Sequence, residues 1–198
     1  MDSHSQSERS TIFTIGHSNH PIDGFLDLLR QHGIQVLVDT RSQPYSKYAS
    51  QFNSQPLREG LEANGIRYVF QGRELGGRPQ EDRFYDEKGY VLYGRIAQSE
   101  AFRKAIQELL IGIQDQRIAL LCSEEDPRVC HRKLLISRAL RERGVQVLHI
   151  RGDGHIEDDA DLDREANQQG SLFEEEEEDW KSIRSVSPRN PPQTSLER

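Results

Sequence analysis

The chain has 198 residues, enough for one domain with a sheet buried between two helical layers, and its formal net charge is -7. That charge is uneven: residues 152–198 hold 14 of the 33 acidic and 5 of the 26 basic residues, leaving 19 acidic against 21 basic groups before them. Overall acidity therefore excludes no anionic ligand for the body, whereas the lack of any apolar stretch near the roughly 20 residues of a membrane span excludes a spanning helix.

The first ten residues are polar, carry no apolar signal core and are expected to be disordered, so a cytoplasmic protein is expected. Apolar runs at 11–15, 36–38, 66–70, 118–121 and 145–150 read as strands. Helical periodicity fills the gaps at 21–31, 55–63, 99–111 and 127–143. Gly33, Gly65 and Gly144 each stand between a helix and the next strand, where glycine ends a helix in the left-handed conformation. This βαβαβαβαβ alternation with short connections demands parallel strands, so residues 11–151 are expected to form a three-layer, Rossmann-like α/β domain of about five mainly parallel strands. Residues 71–98, with Gly76, Gly77 and the aromatics Phe84, Tyr85, Tyr90 and Tyr93, are the least regular internal stretch and read as a lid or a small insertion. From 152 onward the chain shows no period and is expected to be an acidic, mostly disordered tail.

In a parallel sheet the residues after each strand share one edge, which is where such sheets bind ligands. That edge collects Gly16-His-Ser18, Asp39-Thr-Arg41, Glu74 to Arg78 and Cys122 to Arg132. It offers His17, Asp39, Glu74, Glu124 and His131 as acid/base groups, Ser18, Ser46, Cys122 and Cys130 as candidate nucleophiles, and Arg41, Arg78 and Arg132 as anion binders. Each has a plainer reading: His17 as a turn cap, Asp39 with Arg41 as a structural ion pair, Glu74 and Arg78 as solvated loop charges, Cys122 as a small hydrophobe. Gly76-Gly77 is weak evidence for phosphate binding, because no dinucleotide or Walker motif accompanies it.

Both cysteines fall in Cys122-Ser-Glu-Glu-Asp-Pro-Arg-Val-Cys-His-Arg132, between an apolar strand and a helix. Asp126-Pro127 is a helix start, which puts Cys130 and His131 near a positive helix end and favours a Cys130 thiolate and a neutral His131. Three chemistries compete. A Cys-x5-Arg phosphate loop from Cys122 to Arg128 matches only by count, since its interior is acidic. A zinc site of Cys122, Cys130 and His131 with Glu124 has suitable donors, but two adjacent ligands and the long spacing depart from Cys-x2-Cys patterns, so no cofactor is predicted and zinc is the weaker alternative. The preferred expectation makes Glu124 or Asp39 a general base and His131 an acid or orienter, with Arg41 and Arg132 clamping an anionic nucleotide or nucleic-acid group. A hydrolase or transferase would follow. The other class is a non-catalytic ligand- or metal-binding module, a thiol sensor tethered through its tail.

Thr14-Ile-Gly-His-Ser18, Asp39-Thr-Arg41 with Pro44 and Ser46, Leu75-Gly-Gly77, Leu121-Cys-Ser-Glu124 with Pro127, and Cys130-His-Arg132 together resemble the family called domain of unknown function 488. The resemblance spans about residues 11 to 151 and implies a Rossmann-like α/β domain with no established activity. It points to Glu124 rather than Glu125, and to His17, Ser18, Asp39, Arg41, Cys122, Cys130, His131 and Arg132. The chain departs from the family in carrying Thr40 where Val is common, a change expected to be tolerated. In the tail, Gln169-Gly-Ser-Leu-Phe173 is similar to the peptides that dock bacterial repair and polymerase proteins on the sliding clamp, so Gln169, Leu172 and Phe173 are expected to reach such a partner. This would imply an association with DNA repair.

Overall fold

In a computed structural model, residues 10–168 and 180–185 are described. Gln169, Leu172 and Phe173, and with them the expected clamp peptide, lie outside the described residues. Six strands form one sheet: β1 (Thr11–Gly16), β2 (Val36–Asp39), β3 (Arg67–Phe70), β4 (Ile118–Cys122), β5 (Gln146–Ile150) and β6 (Ile156–Asp158). Their spatial order is β3-β2-β4-β1-β5-β6, with β1 to β5 mutually parallel and β6 antiparallel on the edge of β5. The mainly parallel α/β sheet is thus the expected architecture with one strand added.

Alternating side chains build two cores. On one face Phe13, Ile15, Leu37, Ala119 and Leu121 pack under α1 (Ile22–Gln31) and α2 (Ser54–Ala63), through Phe25, Leu29, Leu57 and Leu61. The other face presents Ile12, Val36, Val38, Ile118 and Leu120 to α3 (Tyr93–Gln98), α4 (Glu100–Gly112) and the helix leading into β5. Strands this apolar on both faces are what a covered parallel sheet requires. The connections after β1 and β4, which are neighbours, therefore leave toward opposite faces: α1 on one, Leu135 to Leu140 on the other. Such a divergence opens a crevice at the carboxyl ends of the two strands.

The helix expected over 127–143 is broken. Asp126 caps a 3-10 turn (Pro127–Val129) by accepting from the Arg128 amide, and Cys130 then returns to extended backbone (φ -119, ψ 143). The chain re-enters helix at Arg132 as a π-helical segment (Arg132–Ser137) that passes into α5 (Arg138–Arg141). Ser137 Oγ donates to the Arg132 carbonyl at 2.8 Å, a five-residue step that fits the wide turn. π-Helical turns recur at functional sites.

The tail begins later than expected, because residues 156–168 form β6 and α6 (Asp159–Gln168). Little in these polar sequences advertised an element. Their anchor is a buried polar chain: Thr14 Oγ1 lies 2.7 Å from His149 Nδ1, and His149 Nε2 lies 2.8 Å from Asp159 Oδ1. Because Asp159 can only accept, Nε2 carries the proton and Nδ1 accepts from Thr14; burial holds the His149 pKa below its ordinary value. Lys133 and Arg141 complete the network, Arg141 bonding Asp159 at 2.8 Å and Lys133 bonding Asp163 at 2.6 Å. A second tail piece docks farther on: Ser182 N donates to Val91 O at 2.9 Å, and Trp180 Nε1 to Leu134 O at 2.6 Å.

Removing one member of a buried, fully paired set leaves the others desolvated, at a cost of about 3 kcal/mol. Asp159→Ala is therefore expected to lower urea stability by roughly that amount. Loss of less than about 1 kcal/mol, the scale of an exposed pair, would show that α6 is a dispensable appendage.

Candidate functional site

At the carboxyl edge, β1 and β4 are locked together past their last paired residues, Gly16 and Cys122. His17 N donates to Cys122 O at 3.0 Å and Ser18 N to Ser123 O at 2.9 Å. A Cβ on Gly16 would lie 1.8 Å from the Glu124 carbonyl oxygen, so only glycine allows this approach. Ser18, with φ 43, takes the left-handed conformation that turns the chain away toward α1.

Beneath this junction lies a saturated polar floor. Arg41 donates Nε to Asp39 Oδ1 at 2.8 Å and Nη2 to Oδ2 at 2.6 Å, while Tyr68 OH donates to Oδ2 at 2.8 Å. The same Nη2 reaches Phe52 O at 2.8 Å, and Nη1 lies 3.1 Å from His17 Nε2. Arg41 can only donate, so Nε2 of His17 accepts and its Nδ1–H donates to Ser18 O at 2.8 Å. Burial, and then the Arg41 charge among the opposing influences, holds the His17 pKa below the usual value and keeps the ring neutral, stacked 4.4 Å from Phe52. Asp39, Arg41 and His17, expected as base, clamp and acid/base group, are brought together, but each spends its polar atoms on the others. Ser46 lies in the loop after β2, where its Oγ accepts from the Tyr48 and Ala49 amides at 3.1 and 3.2 Å.

Above the floor the two cysteines meet His131. Its Nε2 lies 3.2 Å from Thr40 O and 3.3 Å from Thr40 Oγ1, whose own proton goes to Leu121 O at 2.8 Å. Both Thr40 oxygens therefore accept, Nε2 carries the proton, and Nδ1 faces the sulfurs: 3.5 Å to Cys122 Sγ and 3.8 Å to Cys130 Sγ. Three donor atoms, one from each of Cys122, Cys130 and His131, lie within 4.8 Å of one another. Glu124 Oε2 approaches Cys122 Sγ at 2.9 Å from a solvent-exposed loop position, while both cysteines are buried.

Electrostatics reverses the expectation of a Cys130 thiolate and neutral His131. Burial would raise the Cys122 thiol, but the Cys130 hydrogen bond and the His131 charge outweigh it and hold Cys122 well below its usual range. Burial and the hydrogen bond to Cys122 push the Cys130 thiol up. Burial alone would lower His131, yet the facing Cys122 raises it; Glu124 rises through burial and the same neighbour. The helix end favours Cys130 less than expected because Cys130 sits in extended backbone before the helix.

The glycine pair covers this cluster. A Cβ on Gly77 would stand 2.6 Å from His131 Cγ, and one on Gly76 would stand 2.2 Å from Gly72 O and 2.3 Å from Ser42 Oγ, so Gly77 packs directly on His131 while Gly76 packs on the loop after β2. On its outer side is an open cleft of about 1230 Å³ whose lining includes Ser42, Gly76, Arg78, Tyr85, Glu100 and Lys104. The sulfurs do not line it. Arg132 is fully buried; one Nη2 bond reaches the Glu125 carbonyl, while Nε and Nη1 have no partner among the described residues. Two contributors escaped the sequence reading: Thr40, whose oxygens fix the His131 tautomer, and Tyr93, a buried phenol whose pKa burial raises first and the nearby Cys130, Cys122 and Glu124 raise further.

These elements define an α/β domain with a Cys/His/carboxyl centre in the crevice between two parallel strands. Residues 21–139 match the family model described as domain of unknown function DUF488, and the chain belongs to that family. The matched segment includes Asp39 to Arg41, the glycine pair and Cys122 to Arg132, while His17 and Ser18 precede it. No curated protein and no solved structure matches the chain. Among the described residues, no helix is long and apolar enough to cross a membrane.

The loop carrying Glu124 is tied to the end of β5 through Glu125, which accepts from Arg151 Nη2 at 2.7 Å and Nε at 2.9 Å. The Arg151 hydrogen bond holds the Glu125 carboxyl down to about 2, from an ordinary 4.5. A depressed carboxylate contributes stability that is complete above its unfolded value and disappears as pH falls through its folded one. Wild type should therefore melt above Glu125→Gln at neutral pH, with the gap closing between pH 4.5 and about 2. A gap that is constant over this window in thermal melts would contradict the linkage.

Proposed function

We propose that this protein is a hydrolytic enzyme acting on an anionic substrate derived from a nucleotide or nucleic acid, with Glu124 as the group that moves the proton. One observation carries the proposal: Glu124, on an exposed loop, bonds at 2.9 Å to a buried thiol that itself faces His131. That arrangement joins solvent to a desolvated reactive cluster at the strand ends, where open parallel sheets bind their ligands. His131 is oriented by Thr40 and acts within the cluster. Asp39, Arg41 and His17 hold the floor on which it rests.

Support for an anionic substrate comes from Arg78. It directly follows the glycine that covers His131, its amide is pinned to Ser42 Oγ at 2.9 Å, and its exposed guanidinium lines the adjoining cleft. No ion pair engages it among the described residues. An exposed, unpaired guanidinium beside a reaction centre suits bidentate capture of a phosphate. The anion-binding role expected of Arg41 passes outward to Arg78.

The test is a panel of nucleoside mono-, di- and triphosphates and short single-stranded DNA, with products separated by chromatography. Wild type should turn over at least one member, and Glu124→Gln should lower kcat by about 10²-fold or more, the scale of general acid–base catalysis. Arg78→Ala should chiefly raise KM. A thiol sensor is the second reading, favoured by donor atoms of two cysteines within 4.8 Å of each other. No turnover of any panel member would overturn the enzyme and leave the sensor.

A further inference from the structure

Two sulfurs and one imidazole nitrogen lie within 4.8 Å of one another beside an exposed carboxylate. We propose that Cys122, Cys130 and His131 bind a single zinc ion as three of its four ligands, leaving the fourth position open toward Glu124. As the device that activates water, this rests on the hydrolytic function proposed above; as a binding site it stands independently.

Distances carry the first part. Tetrahedral zinc with Zn–S near 2.3 Å and Zn–N of about 2.0 to 2.1 Å holds sulfur and nitrogen about 3.6 Å apart. Nδ1 of His131 lies 3.5 Å from one sulfur and 3.8 Å from the other, with three donor atoms from these residues inside 4.8 Å. Nε2–H is committed to the oxygens of Thr40, which leaves Nδ1 as the nitrogen for a metal; a ligand histidine ordinarily gives its second nitrogen to such a partner. Soft thiolates with imidazole in tetrahedral array select zinc over magnesium or calcium.

Backbone geometry removes the objection that adjacent residues make poor co-ligands. Cys130 is extended (φ -119, ψ 143) and His131 is helical (φ -59, ψ -24). The conformational change between them abolishes the strand alternation that would send neighbouring side chains apart.

Charge is the independent second observation. Zinc with two thiolates and a neutral imidazole is a neutral unit, the two thiol protons passing to solvent on binding. Glu124 adds one negative charge. Arg132, entirely buried next in sequence to His131 and with Nε and Nη1 unpartnered among the described residues, supplies the balancing positive one. Water in the fourth position then gives a proton to Glu124; its oxygen bonds to the electrophilic atom of the substrate, and the departing group takes that proton as its bond breaks.

Full-length protein from zinc-supplemented growth should contain about one zinc per chain by elemental analysis, as a four-coordinate site requires. Cys122→Ser, Cys130→Ser and His131→Gln should each lose it, whereas Glu124→Gln should keep it. Because a cysteine variant can fail to fold for other reasons, cobalt titration of wild type decides separately. Sulfur-to-cobalt charge-transfer absorption with the intense visible bands of tetrahedral cobalt is expected; their absence, or no zinc by elemental analysis, overturns the site. Loss of zinc from Glu124→Gln overturns the open fourth position. Zinc without turnover would sink the hydrolase and leave the metal site, and turnover that survives complete chelation would do the reverse.

Discussion

The close approach of β1 and β4 at their carboxyl ends is the constraint on which the rest of this molecule depends. Their connections leave toward opposite faces, away from the gap between them, and Gly16 lets the Glu124 carbonyl fill the space a side chain would occupy. Two backbone hydrogen bonds then hold the β4 loop against the β1 loop. Glu125, through Arg151, and His17, through Arg41, brace the two turns further. This leaves the side chains of Cys122 and Glu124 free to face the crevice, a division of labour in which scaffold and chemistry do not compete for the same atoms.

The same economy does not hold on the floor, where Asp39 and Arg41 are consumed by structure. A buried ion pair is tolerable only when good geometry and extra hydrogen bonds answer the desolvation of both partners. Here the carboxylate receives two guanidinium bonds, the Arg41 amide and the Tyr68 hydroxyl, and the guanidinium is completed by Phe52 O and His17. Saturation makes the pair a strong brace and a poor catalyst. A carboxylate with no spare lone pair cannot accept a proton, and a guanidinium with four of its five N–H groups committed has little left for a phosphate. The chemically available residues lie one layer outward, at Glu124, Arg78 and the cysteine pair.

How much of this was legible in the sequence depended on whether the signal was periodic or geometric. Five apolar strands and the glycines at 33, 65 and 144, each now at positive φ, were readable because burial and helix termination leave local marks. The edge cluster was readable because a parallel sheet sends every strand end the same way. β6 and α6 were not, since their anchor is a buried polar network centred on His149 and Asp159 rather than an apolar stripe. The helix break at Cys130 was hidden too: Asp126-Pro127 signals a start equally well for a 3-10 turn and for a long helix. Thr40 looked like a tolerated replacement for valine because its role is to offer two oxygens to a ring 91 residues away.

One signal was available and easily overlooked. Arg132, Leu135, Ile136, Ala139 and Leu140 follow the spacing of a buried helical stripe, and all five are buried. A guanidinium at the first position of that stripe is desolvated by construction, at a cost of several kcal/mol unless a counter-charge meets it. The nearest carboxylate on the adjoining loop, Glu125, is committed to Arg151, so Arg132 reaches only a carbonyl there. Its charge is also felt at Cys130. A fixed interior cation favours thiolate over thiol, and thiolates are what two cysteines would become on binding a metal. The apolar stripe thus places the arginine, and the arginine in turn biases the chemistry of the cysteine two residues before it.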